Sequence, residues 1–88
     1  MRERFDEIRR EITQNDAAIV AAVNRRLVLV TELWELKAQL GLDTVDPDRE
    51  RRLRDALAVA SDGPLSRAGL DRLVTELLDL TKAELGAS

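Results

Sequence analysis

The chain has 88 residues, with 14 Lys and Arg against 17 Asp and Glu, no His and no Cys, and a formal net charge of −3. That length allows one small domain, residues 1–88, with a thin core. The acidic balance argues against a nucleic-acid surface, and the missing Cys and His argue against disulfide, thiolate and zinc chemistry, so no metal is expected and the cytoplasm is the expected location.

The opening Met1-Arg2-Glu3-Arg4-Phe5-Asp6 is charged and no continuous apolar run follows it, so neither a signal peptide nor a membrane span is expected. The first predicted element is one very long helix over residues 3–40, because no Gly or Pro interrupts Arg2 to Leu40 and apolar residues return every three to four positions. Gly41 suits the left-handed position that ends it. With about 100° per residue and Arg26 at zero, Ile8, Ile12, Ile19, Val23, Val30, Leu33 and Leu40 all fall within roughly 60°, and Lys37 lies about 20° away. Two cations therefore sit in an apolar stripe. An unpaired buried charge costs several kcal/mol, so an anion from this chain, a second copy or a ligand is expected to meet them. An internal salt bridge or side chains snorkelling to water satisfies the same pattern.

Such a helix spans roughly 57 Å, whereas a compact chain of this length has a radius of gyration near 12 Å. The stripe continues along nearly all of it, which predicts a two-fold dimer with antiparallel long helices wrapped by the shorter ones. The alternative, a fold-back near Asn15, has no Gly or Pro to support it.

After a link over Leu42 to Val45, Asp46-Pro47 opens a second helix running to about Ala60, with Asp46 as cap and Pro47 in the first turn. Free amides at that helix start, the cation Arg49 and the acceptor Glu50 together suit a hydroxyl-bearing ligand. Ser61-Asp62-Gly63-Pro64 is a break, and a third helix begins near Leu65 or Ser66. Its expected inward side carries Leu70, Leu73, Val74, Leu77, Leu78, Thr81 and Leu85. Taken singly, Arg49 and Glu50 also read as first-turn charges, and Thr81 as a back-bonded core threonine.

Arg26 and Lys37 lie about 16 Å apart along one face and are able to bracket a small molecule, while Arg9 is about 25 Å from Arg26 and reaches such a site only from an antiparallel second copy. A pocket rich in cations and poor in nucleophiles or bases suits a dicarboxylate whose reaction needs charge placement more than proton transfer.

The run Ile8-Arg9-Arg10-Glu11-Ile12, then Asn24-Arg25-Arg26, Lys37, Gly41 and Asp46-Pro47-Asp48-Arg49-Glu50, resembles the all-helical, type II class of chorismate mutases. The resemblance covers residues 5–60 well and helix three mainly in its apolar pattern. It implies an all-α fold of three helices per chain in an intertwined homodimer with shared sites, and a pericyclic conversion of chorismate to prephenate without a cofactor. It further implies that Arg26 and a second copy's Arg9 hold the carboxylates and that Lys37 contacts a carboxylate and the ether oxygen. Arg49 then supports the anionic side, Glu50 and the Asp46 backbone hold the ring hydroxyl, and Thr81 lies near a carboxylate.

Where the family often has Gln or Glu aimed at the ether oxygen, this chain has Leu85. Loss of such a donor costs about 10²- to 10³-fold in rate, so a weak mutase is expected, or one completed by a partner such as the first synthase of the shikimate pathway. Isochorismate pyruvate lyase and aminodeoxychorismate mutase share most of these residues. A non-catalytic helical dimer or regulatory module is the alternative of another class.

Overall fold

The computed structural model describes residues 1–86, which form three α-helices: α1 (Arg2–Leu40), α2 (Pro47–Ala60) and α3 (Arg67–Leu85). Among the described residues there is no strand, and no helix is long and apolar enough to cross a membrane. Each helix stops where its sequence carries a stop. Gly41 adopts φ 71, ψ 25, its amide donates to the Ala38 carbonyl at 3.3 Å, and the Leu42 amide donates to the Lys37 carbonyl at 2.8 Å. These two bonds close the last turn of α1 and satisfy carbonyls that would otherwise face solvent. At the start of α3 the Ser66 hydroxyl accepts from the Gly69 amide at 3.0 Å, the bond expected of an N-cap serine.

Helix α3 packs against both α1 and α2, whose backbones do not touch each other. Among the described residues, the buried ones, Leu70, Val74 and Thr81, all lie on α3, and Val74 is fully covered. Arg54 ties α2 to that helix by donating to the Asp71 carbonyl at 3.0 Å and to the Thr75 hydroxyl at 2.8 Å. Leu73, expected on the inward side, is 48% exposed. The inward stripe of α3 is narrower than expected because α1 and α2 cover only two of its flanks.

Helix α1 contributes no buried residue, although its sequence pattern is that of a core helix. The molecule measures 59 × 24 × 19 Å with a radius of gyration of 16.6 Å, against about 12 Å for a compact chain of this length. Its accessible surface is 7090 Å², where scaling from mass gives about 5,200 Å² for a folded monomer. The excess is apolar in part: Ile8, Ile12, Ile19, Leu33 and Leu40 are all exposed along α1.

Candidate functional site

The gap between α1 and α2, floored by α3, is a cleft of about 300 Å³. That volume sits at the small end of ligand pockets and suits a metabolite of modest size. Its walls are apolar on the α1 side, through Leu29, Val30, Leu33 and Trp34, and carry four cations: Arg26, Lys37, Arg49 and Lys82. The structure thus gathers Arg26, Lys37, Asp46, Arg49, Glu50 and Thr81 around one cavity, although three helices and a link supply them.

The two stripe cations are half-buried, and neither has a carboxylate partner among the described residues. Arg26 donates through a guanidinium nitrogen to the Thr81 hydroxyl, which in turn donates to the Leu77 carbonyl at 2.7 Å. The single proton of Thr81 is therefore committed to α3, and its oxygen fixes the Arg26 fork without adding a donor to the cleft. Lys37 donates to the Thr44 carbonyl at 3.2 Å. An ammonium has three donors, so two remain for a ligand. Both cations are held in place by neutral oxygens, which leave their charge uncompensated.

The start of α2 differs from the expectation of free amides. Pro47 has no N–H, the Asp48 and Arg49 amides donate to Asp46 Oδ1 at 3.1 and 3.2 Å, and the Glu50 amide donates to the Asp46 carbonyl at 3.0 Å. A capping carboxylate at the helix end competes with any ligand for those donors and wins by proximity. The acceptor that survives is Glu50, half-buried, with Oε1 3.3 Å from Lys82 Nζ. Because Asp46 satisfies two orphan amides, Asp46→Ala is expected to cost about 1–2 kcal/mol and Asp46→Asn much less. Thermal melts of the two variants check this, with a fall of several degrees for alanine alone.

Arg9 is exposed and lies away from the cleft, in a shallow patch with Arg10, Thr13 and Gln14, its guanidinium 5.0 Å from the centre of the Phe5 ring. Leu85 is half-buried in the last turn of α3 and does not line the cleft.

The sequence model of the chorismate mutase type II family matches residues 8–84. The chain belongs to that family. A curated chorismate mutase of Methanocaldococcus jannaschii is 35% identical over 57 residues, a stretch covering 65% of this chain and 58% of the relative's own length. No solved structure matches the chain.

The chorismate mutase match contains Arg9 and all the polar cleft residues and stops one residue short of Leu85. Among the cleft residues that the sequence pattern does not mark are Lys82 and Trp34. Lys82 directly follows Thr81 and is turned about 100° from it, at the edge of the α3 stripe, so periodicity gives it no signal of the kind that marks Arg26 and Lys37. Trp34, the single tryptophan, stands three residues before Lys37 and is half-buried against the cavity.

Proposed function

We propose that this chain is a cytoplasmic chorismate mutase that rearranges chorismate to prephenate by conformational and electrostatic means. The observation that supports this reading is the pair Arg26 and Lys37, half-buried on an apolar wall and lacking a carboxylate partner among the described residues, in a chain of this family. Two separate anions on the ligand supply what the protein withholds. Gripping both carboxylates selects the folded conformer and removes rotational freedom before bond exchange begins. A Lys37 donor left over from Thr44 meets the ether oxygen, whose negative charge grows mainly in the transition state, so the contact lowers the barrier more than it tightens binding. Arg49 supports the anionic side, and Glu50 with the Asp46 backbone holds the ring hydroxyl.

The second carboxylate needs a further cation, and Arg9 of the same chain is about 25 Å from Arg26 along the helix. Two copies packed antiparallel along α1 bring the other chain's Arg9 to the cleft. Each chain exposes about 1,900 Å² beyond the monomer expectation, an excess of the size that obligate dimers bury. The exposed Ile8, Ile12 and Ile19 then become core, and each site is shared between chains.

Following the loss of chorismate absorbance and identifying the product tests the assignment. Prephenate is the expected product; pyruvate release points to a lyase, and no consumption at high protein concentration points to a non-catalytic helical module. Since Leu85 brings no donor to the cleft, turnover is expected to be low and to rise when the synthase that opens the shikimate pathway is added. Equal rates with and without the synthase reject that partnership.

A further inference from the structure

Within the cleft one ion pair crosses from α2 to α3, between Glu50 Oε1 and Lys82 Nζ at 3.3 Å. Both side chains are about one-third exposed, 28% and 33%, so neither charge is free to reach bulk water fully and the pair is only partly screened. The contact joins helices that are packed together for other reasons, through Arg54 and the buried face of α3. It leaves Glu50 Oε2 as the carboxylate oxygen available to a ligand.

We propose that Lys82 is a positioning and specificity residue that, through Glu50, sets the cleft to accept a ring hydroxyl and to reject an amino group at the same place. The inference rests on the chorismate mutase reading above. A carboxylate accepts hydrogen bonds and has none to donate, so the ligand partner of Glu50 Oε2 must be a donor. A hydroxyl is a neutral donor and adds no charge beside Lys82. An ammonium is also a donor, but it brings a second positive charge to an already neutralised carboxylate, and like charges side by side oppose binding. Without Lys82, Glu50 becomes a bare anion and prefers the cationic substituent. The same loss frees the Glu50 side chain to leave the position from which it meets the ring. The choice between chorismate and its analogue with an amino group in place of the ring hydroxyl is therefore made by a residue that need not touch either one.

The test compares kcat/KM for chorismate and for 4-amino-4-deoxychorismate with wild type, Lys82→Met and Lys82→Arg. Each ratio is taken on a single preparation, so any unfolded fraction cancels. Lys82→Met is expected to shift the preference toward the amino substrate by about five- to tenfold, the size of a partly screened like-charge repulsion, while Lys82→Arg keeps the wild-type ratio. A ratio unchanged in Lys82→Met, even if both rates fall together, overturns the proposal and reduces Lys82 to a structural strut. Failure of the wild type to consume chorismate overturns the functional reading and this proposal with it, so the two failures are told apart by the wild-type assay alone.

Discussion

Lys37→Ala is expected to lower chorismate turnover by about 10³-fold while leaving the protein folded, because the lost donor acts where charge develops during bond exchange. The fold has little to lose. Among the described residues Lys37 makes one side-chain hydrogen bond, to the Thr44 carbonyl, and no salt bridge, and the caps that end α1 use its backbone carbonyl, which alanine retains. Removing a half-buried cation that has no carboxylate partner also relieves a desolvation cost, so the melting temperature should stay close to wild type. A kcat defect with nearly unchanged KM assigns Lys37 to the transition state, whereas a rise in KM alone assigns it to uniform grip on a carboxylate. Full turnover in this variant would remove Lys37 from the ether oxygen.

Arg9→Ala is expected to be nearly as damaging, although Arg9 lies about 25 Å along the same helix from Arg26. Its side chain stacks on Phe5 at the exposed end of α1, and the Thr13 hydroxyl bonds only to its backbone carbonyl, which alanine retains, so a structural explanation for a large loss is hard to build. Truncating one partner of a charge-assisted contact to a carboxylate costs about 2–5 kcal/mol, a loss of some 30-fold or more in kcat/KM. The Phe5 contact predicts at most a small change in melting temperature. Concentration matters for the same reason. If α1 is covered only by a second copy, wild-type turnover per chain falls on dilution below the dimer dissociation constant, and Arg9→Ala does not recover it.

The three-helix architecture was legible because its punctuation is local. Gly41, Asp46-Pro47 and Ser66 each act within one turn, through a left-handed φ, a capping carboxylate and a capping hydroxyl, and the structure uses all three. The inward stripe of α1 was legible as a pattern, but the chain's own helices leave it uncovered: Ile12 is 54% exposed and Leu40 is 73% exposed. The cleft was legible where an unusual residue interrupts an apolar row, as at Arg26 and Lys37. Lys82 lies at the edge of the α3 stripe, about 100° round from Thr81, so it reaches the cleft without interrupting an apolar row. Competition for hydrogen bonds decides between readings that the sequence left side by side: Asp46 acts as the cap that takes the α2 amides, and Thr81 is the back-bonded core threonine whose proton goes to Leu77.

If each cleft is completed by a second copy of the chain, two inactive variants should restore activity to one another when mixed. Arg9→Ala and Lys37→Ala are unfolded together, refolded at equal concentration and assayed, with native mass measurement to count the mixed dimers. In a mixed dimer one site carries both lesions and the other carries neither, so statistical pairing, in which about half of the dimers are mixed, predicts recovery to about one-quarter of wild-type turnover. Mixed dimers that form but remain as inactive as the separate variants, or an equal mixture that never pairs, would contradict a site shared between chains.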